Sequence, residues 1–145
     1  MKATIVYQSR KGKTAGYARE IAMYLWQKGV SISLCSTADF SEEKLRNCDF
    51  LLLGCWTSGW FVFNQHPNPI WKAFAEKYMQ GELPKNLLLF TTYMFRTGSL
   101  FTRMKSKINL STVTSIYSMK SKTGILSSED KSKLDLFIGD LSQRK

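Results

Sequence analysis

A cluster of polar residues near the N-terminus has the composition of an anion-binding turn. It joins two hydroxyls and one glycine to three cations, in the order Ser9, Arg10, Lys11, Gly12, Lys13 and Thr14. The cluster lies between a short apolar run and a helical pattern, which predicts a turn from a strand into a helix N-terminus. Backbone N–H groups and the helix dipole at such a turn can hold a dianionic phosphate. A polar turn without a ligand is the alternative interpretation.

Other phosphate-handling motifs do not fit the chain. The end of the cluster, Gly12-Lys13-Thr14, matches the end of the nucleotide-hydrolase loop G-x-x-x-x-G-K-[ST], but Tyr7 stands where the first glycine is required. The sequence has no G-x-G-x-x-G dinucleotide turn. A response regulator would need an aspartate where this chain has Cys55, and a phosphatase loop would need a cysteine after the first strand.

Two further segments carry aromatic side chains at positions that follow predicted strands. Residues 56–66 contain four large aromatics: Trp56, Trp60, Phe61 and Phe63. Residues 91–98 contain two aromatics beside three threonines: Tyr93, Phe95, Thr91, Thr92 and Thr97. Such rings can stack on a flat heterocycle, or they can pack under the loop as a small hydrophobic cluster. We favour stacking for the first segment and leave both interpretations open for the second.

The elements that position these segments are visible in the apolar pattern. It predicts strands over residues 3–7, 30–35, 50–55, 87–90 and 113–119. The third strand is apolar throughout, which is typical of a strand covered on both faces, and the last is rich in Thr and Ser, as at a sheet edge.

Five helices are predicted between and after these strands. They lie over residues 18–25, from Ser41, from Asn68-Pro69, over residues 100–108 and from Ser127. The third is expected to bury Ile70, Ala73 and Phe74. The last is capped by residues 127–130 and carries an apolar stripe: Leu134, Phe137, Ile138 and Leu141.

This alternation predicts one α/β domain over residues 1–145, with a doubly wound parallel sheet and helices on both faces. Ligands in such folds lie outside the carboxyl ends of the strands. We therefore expect the turn at residues 9–14 and the segments at 56–66 and 91–98 to form one site.

Charge and composition limit the function further. The net charge is +10, and no acidic residue occurs between Leu83 and Ser128. Such a surface attracts acidic proteins; an anionic membrane is an alternative, and nucleic acid is not favoured. Three cysteines without a C-x-x-C pair, with the single histidine His66, predict neither a disulfide nor a metal site. No apolar run is long enough for a membrane span or a secretory signal, so the cytoplasm is the expected compartment.

With these motifs in order, the chain resembles a flavodoxin of the short type. Residues 9–14 are similar to the phosphate loop [ST]-x-[ST]-G-x-T of that family, and residues 49–59 resemble its third strand and flavin-flanking loop. The likeness covers essentially the whole chain. It implies a five-stranded parallel sheet with strand order 2-1-3-4-5 and flavin mononucleotide (FMN) as the cofactor.

The resemblance also implies which residues bind the cofactor. The first turn would hold the phosphate, and the other two segments would flank the ring. The implied set is Ser9, Arg10, Lys11, Gly12, Lys13, Thr14, Trp56, Thr57, Ser58, Gly59, Trp60, Thr91, Thr92, Tyr93 and Phe95.

The chain departs from the family in three ways. Lys11 stands where a second hydroxyl is usual, Ser58 where a stacking side chain is common, and Trp60 where an acidic residue is common. The family is typically acidic and docks on basic partners, whereas this chain is strongly basic. Its redox partners are therefore expected to carry acidic docking surfaces.

The expected function is electron transfer by bound FMN, without substrate chemistry of its own. His66 is the only side chain expected to titrate near neutrality, and we interpret it as a solvated loop histidine. One alternative is a flavin-dependent oxidoreductase for a quinone or tetrapyrrole-like substrate, with Trp56, Trp60 and Phe61 as the landing site. The other is a flavin-free module that binds an anionic partner.

Overall fold

The computed structural model describes residues 1–60 and 63–144, with six strands and four α-helices in that part of the chain. The strands are β1 (Lys2–Tyr7), β2 (Ser31–Ser36), β3 (Phe50–Trp60), β4 (Phe63–Pro67), β5 (Asn86–Thr92) and β6 (Ser115–Ser121). The helices are α1 (Lys13–Gln27), α2 (Pro69–Tyr78), α3 (Leu100–Lys105) and α4 (Ser128–Arg144).

The main sheet has the order β2-β1-β3-β5-β6, and all of these pairings are parallel. This confirms the predicted order, since β5 and β6 are the fourth and fifth strands of the parallel set. β6 lies at the edge, as its Thr and Ser content indicated. Tyr7 of β1 pairs with Gly54 of β3, which pairs with Phe90 of β5, so the central strands end at the same side of the sheet.

Two apolar layers cover the sheet. On one face, α1 and α4 pack over side chains such as Ile5, Leu52 and Leu88. On the other face, α2 and α3 pack over the alternate positions, such as Leu53 and Leu89. Every residue of β5 is buried, because this strand has a neighbour on each side and a helical layer on each face.

The α4 N-terminus forms the predicted capping arrangement. The Asp130 N–H donates to Ser127 Oγ at 3.1 Å, and the Ser127 N–H donates to Asp130 Oδ2 at 3.2 Å. The Tyr17 hydroxyl of α1 donates to the same carboxylate oxygen at 2.9 Å. Burial and the Asp130 carboxylate raise the pKa of Tyr17, which stays protonated. The stripe residues Leu134, Phe137 and Ile138 are buried, and the Leu141 side chain lies outside the described residues.

Three sequence predictions about local structure were wrong. Residues 56–66 are not a loop, because β3 continues to Trp60 and β4 returns antiparallel to it. The Thr and aromatic residues there favour extended pairing. The helix expected from Ser41 is a single 3₁₀ turn, Glu42–Leu45, preceded by another at Thr37–Asp39. Asn47, with φ of 55°, turns the chain into β3 before a longer helix can form.

The third wrong prediction concerns the buried face of α2. Ile70 is 60% exposed, and Ala73 is exposed as well. Phe74 is buried as expected, together with Trp71 and Ala75. Both sets share helical spacing, so only the position of the neighbouring sheet decides which face is covered.

Membrane and metal features are absent from the described residues. None of the helices there has the length and apolar character that a bilayer crossing requires. No three His, Cys, Asp or Glu side chains within 1–60 and 63–144 lie close enough together to hold a metal ion. Cys35, Cys48 and Cys55 are free thiols.

We predict opposite effects for alanine at two glycines. A methyl group on Gly54 would overlap the Phe90 ring, so Gly54→Ala should lower the free energy of unfolding by about 2–3 kcal/mol. Gly16 lies inside α1, where an added methyl group would have open space within 4 Å, so Gly16→Ala should raise it by about 0.5–1 kcal/mol. Urea unfolding of both variants measures the difference, and equal effects would contradict the close packing of β3 on β5.

Candidate functional site

A cavity of about 590 Å³ opens at the carboxyl edge of the parallel sheet. The turn after β1, the β3–β4 hairpin and the loop after β5 form its walls. The side chains and backbone that line it belong to Ser9, Arg10, Lys11, Lys13, Thr14, Trp56, Thr57, Ser58, Gln65, Thr92, Tyr93, Met94, Phe95 and Arg96. The three segments singled out from the sequence therefore meet at one place.

The turn after β1 leads directly into the N-terminus of α1. Gly12 is the N-cap residue with φ of 94°, a conformation that favours glycine. Its N–H donates to Ser9 Oγ at 3.1 Å, and its carbonyl accepts the first helical hydrogen bond, from the Gly16 N–H at 2.9 Å. The next N–H groups, including that of Lys13, have no intrahelical acceptor, as at any helix start.

The charge around this helix end is positive. The first turn of α1 contains no acidic residue, while Arg10, Lys11 and Lys13 lie at or beside it. Cations are unfavourable at a helix N-terminus, because the helix dipole is positive there. An anion bound at this turn would therefore be stabilised both by the dipole and by the side chains.

Lys13 has a second role in the geometry of the site. Its Nζ donates to the Lys122 carbonyl at 2.8 Å and to the Tyr93 carbonyl at 3.4 Å. These carbonyls belong to the segments after β6 and β5. The ammonium group therefore ties three segments of the carboxyl edge together.

Two pairs of threonines join the three segments that form the cavity walls. Thr14, which is only 1% exposed, shares a hydrogen bond of 2.6 Å with Thr92. Thr57 shares one of 2.9 Å with Thr91, whose hydroxyl also bonds the Cys55 carbonyl at 2.7 Å. Buried hydroxyls are costly unless paired, so these bonds favour one arrangement of the three segments.

Aromatic rings also line the cavity, and a cationic side chain lies close to two of them. The Arg10 guanidinium lies 5.6 Å from the centre of the Trp56 ring, and Lys120 Nζ lies 5.9 Å from the centre of the Tyr93 ring. Met94 and Phe95 are 72% and 55% exposed at the mouth. Flat apolar surface and positive charge are thus presented side by side.

The predicted site residues divide into those that line the cavity and those that do not. Gly12 and Thr91 are absent from its walls, and they shape the turn and the threonine pair instead. Gly59 and Trp60 belong to β3, but their side chains lie outside the described residues, as does all of Phe61. The other eleven predicted residues line the cavity.

Three lining residues were missing from the predicted set: Gln65, Met94 and Arg96. Met94 and Arg96 lie within the segment 91–98, so the aromatic and threonine residues of that segment could have indicated them. Gln65 lies within the segment 56–66, which was also singled out, but it reaches the cavity only because β4 folds back along β3.

His66 and Cys55 contribute no evident acid, base or nucleophile. His66 is half-buried in β4 with its Nδ1 3.0 Å from the Pro67 carbonyl, so the predicted solvated loop histidine is wrong. Burial raises the pKa of the Cys55 thiol to about 12, although hydrogen bonds from the Asn68 N–H and the Thr91 hydroxyl oppose the shift. Cys55 therefore remains a thiol at neutral pH.

Comparison with solved structures identifies the class of fold. A short-chain flavodoxin associated with a non-canonical PDU bacterial microcompartment superposes with a TM-score of 0.75 at 15% identity, covering 99% of this chain and 98% of that one. The Streptococcus pneumoniae TIGR4 flavodoxin gives 0.74 at 16%, with 100% of both chains covered. The two-electron reduced Megasphaera elsdenii flavodoxin gives 0.72 at 19%, covering 91% of this chain and 94% of that one.

Sequence comparison adds nothing to this, since no protein-family model and no curated protein matches the chain. The fold is flavodoxin-like, as the sequence motifs implied. At these identities the likeness establishes the architecture alone.

We predict that Lys13 stabilises the folded protein whereas Lys11 does not. Lys13→Met removes both hydrogen bonds of the ammonium group and should lower the free energy of unfolding by about 0.5–1.5 kcal/mol. Lys11→Met removes the same charge from the same turn, where the side chain is exposed, and should change it by less than about 0.5 kcal/mol. Denaturant unfolding without ligand makes the comparison, and equal losses would show that charge alone is responsible.

Proposed function

We propose that this protein binds FMN in the cavity at the carboxyl edge and transfers electrons between partner proteins. The observation that carries the proposal is that one cavity combines a cationic helix N-terminus with aromatic walls. A phosphate and a flat ring in one molecule require these two surfaces together. The flavodoxin-like fold supports the same ligand.

The turn at residues 9–14 is the proposed phosphate site. Backbone N–H groups at the start of α1 and the hydroxyl of Ser9 supply hydrogen bonds, and Arg10 and Lys11 supply charge. Lys13 would act on the phosphate mainly through its position at the helix start, because its ammonium group already bonds two carbonyls.

The hairpin and the loop after β5 are the proposed ring site. Trp56, Tyr93 and Phe95 offer aromatic faces, and Thr57 and Ser58 of β3 line the cavity beside them. Bound FMN would supply reversible one- and two-electron chemistry at its ring. The protein would position that ring between the aromatic side chains of these two segments.

Two features favour an electron carrier over a stand-alone enzyme. The side chains described as lining the cavity include no carboxylate and no imidazole, the groups that most often act as general acid or base. The exposed Met94 and Phe95 at the mouth suit contact with another protein, since exposed apolar groups ringed by charge mark docking surfaces.

The charge of the mouth suggests the chemistry of the partner. Arg10, Lys11, Lys13 and Arg96 line the cavity, and Lys120 lies over Tyr93. The positive electrostatic field of these side chains speeds the encounter with an acidic surface, and this field weakens as salt is added. We therefore propose redox partners with acidic docking surfaces.

The phosphate site is tested by two nearly isosteric substitutions. Gly12→Asp places a carboxylate at the proposed phosphate site, whereas Gly12→Asn places an amide of the same shape at the same positive φ. We expect Gly12→Asp to bind FMN at least about tenfold more weakly than Gly12→Asn, because like charges a few ångströms apart repel by roughly 1–4 kcal/mol.

Riboflavin provides the control, because it has the same ring without the phosphate. Riboflavin should bind the wild type far more weakly than FMN does. It should bind Gly12→Asp and Gly12→Asn with equal affinity. Kd values from flavin fluorescence quenching measure all of these effects. Equal affinities of the wild type for FMN and riboflavin would refute the phosphate assignment.

The basic mouth is tested with small oxidants of opposite charge. Oxidation of the reduced, FMN-loaded protein by hexacyanoferrate(III) should slow as ionic strength rises from about 10 mM to about 0.5 M, and oxidation by hexaammineruthenium(III) should accelerate. Arg96→Gln should reduce both dependences, since Arg96 lines the cavity. Stopped-flow absorbance measures the rates.

Lys85→Gln is the matched control for this experiment. Lys85 is exposed just before β5, at the opposite edge of the sheet, about 20 Å from the mouth for a seven-residue strand. Lys85→Gln should leave the ionic-strength dependence of both oxidation rates unchanged. Equal effects of the two substitutions would mean that net charge, rather than the mouth, controls the rates.

A further inference from the structure

Two polar side chains at the start of α2 are fully buried without a hydrogen-bond partner. Asn68 and Trp71 are both 0% exposed. The Asn68 Oδ1 and Nδ2 atoms and the Trp71 Nε1 atom form no hydrogen bond within the described part of the chain. Buried polar atoms of native proteins pair with protein groups or with ordered water, because an unpaired one is costly. Three such atoms on neighbouring side chains therefore point to a bound molecule.

The backbone of Asn68 is held in place, so the side chain cannot turn outward freely. Its N–H donates to the Cys55 thiol, and its carbonyl accepts from the Lys72 N–H at 3.0 Å. Asn68 is the N-cap residue of α2, but its side chain makes no capping hydrogen bond. Rotation of the amide by a half turn exchanges Oδ1 and Nδ2 and changes nothing, since both atoms lack a partner.

Trp71 lies at the position from which a side chain reaches the N-cap residue. It is the third residue of α2, and a side chain at this position reaches back to the N-cap in the capping box. Side chains of a helix also lean toward its N-terminus. The indole N–H and the Asn68 carboxamide are therefore neighbours in the apolar layer of α2 and α3, to which Cys55 and Met104 also belong.

The three unpaired atoms define the chemistry of the ligand. Trp71 Nε1 and Asn68 Nδ2 only donate hydrogen bonds, whereas Asn68 Oδ1 only accepts them. An anion has no hydrogen to donate to Oδ1, and a cation such as ammonium cannot accept from the N–H groups. Water donates and accepts, and a buried water usually makes about three hydrogen bonds.

We propose that an internal water molecule is bound at the start of α2, where it bridges the Asn68 carboxamide and the Trp71 indole. The water accepts from Trp71 Nε1 and donates to Asn68 Oδ1. It can also accept from Nδ2, because one N–H of a carboxamide points to the same side as its carbonyl oxygen. The helix thus begins with a cap that acts through water, and this site is independent of the proposed binding of FMN.

A high-resolution crystal structure of the wild type tests the proposal directly. It should show a well-ordered water about 2.7–3.2 Å from both Trp71 Nε1 and Asn68 Oδ1. A direct hydrogen bond between the two side chains, or no density between them, would overturn the proposal. An anomalous peak at this site after soaking in bromide would also overturn it, because the ligand would then be an anion.

The bound water should also be detected in solution by NMR. A water that tumbles with the protein gives an indole N–H cross-peaks of opposite sign in water-selective NOE and ROE spectra, whereas proton exchange gives the same sign in both. Trp71 should show opposite signs. Trp26 is the control in the same spectra, because it is 64% exposed on α1 and meets only mobile water. Trp71→Phe and Trp26→Phe assign the two signals, and equal behaviour of both would contradict a bound water.

A shared water should also couple the two side chains energetically. Asn68→Leu or Trp71→Phe alone leaves the other polar group without its bridge, so each should lower the midpoint of urea unfolding. The double variant should lower it by clearly less than the sum of the two shifts, since the first substitution has already removed the bridge. Additive shifts would contradict a water that both side chains share.

Asn86→Leu provides the matched control for this coupling. Asn86 is a carboxamide that is only 2% exposed, and it lies at the start of β5, whereas the residue that pairs with Cys55 is near the end of that strand. Its shift should add to that of Trp71→Phe. Coupling of equal size in this pair would overturn the energetic argument. The crystallographic and NMR tests use the wild type, so they decide the proposal when a variant fails to fold.

Discussion

Parallel pairing of the three central strands is the constraint that fixes the rest of the molecule. β3 is paired with β1 on one side and β5 on the other, and both faces are covered by apolar side chains. A shift of register by one residue would move each side chain to the wrong layer, so the register is strongly specified. The row from Tyr7 through Gly54 to Phe90 then brings the ends of these strands to one edge.

At that edge, polar side chains connect segments that are distant in the sequence. Thr14 bonds Thr92, Thr57 bonds Thr91, and Lys13 spans to the carbonyls of two other segments. The threonine side chains are too short to fill the space above them, and a cavity of about 590 Å³ remains. These hydrogen bonds therefore join the segments beneath the cavity and leave the cavity itself accessible to a ligand.

Positive charge gives this cavity its chemical character. The chain places cations at the positive end of α1 without an acidic residue in the first turn, an arrangement that costs stability unless an anion is present. A phosphate bound at this turn, as proposed, would offset that cost. Under the proposed function, the same cations would favour both the phosphate of the ligand and an acidic partner.

Local patterns in the sequence were enough to predict the architecture and the edge at which the cavity lies. The apolar runs at β1, β3 and β5 and the Ser127–Asp130 cap are such patterns, and the strand order follows from a resemblance that solved structures support. Other features became visible only in the folded chain. The return of β4 along β3, the face of α2 that is buried and the carbonyls that Lys13 bonds all depend on partners far away in the chain. Gln65 lines the cavity for the same reason: its position is set by strand pairing and by the contact with Gly98, and neither is encoded in the residues beside it.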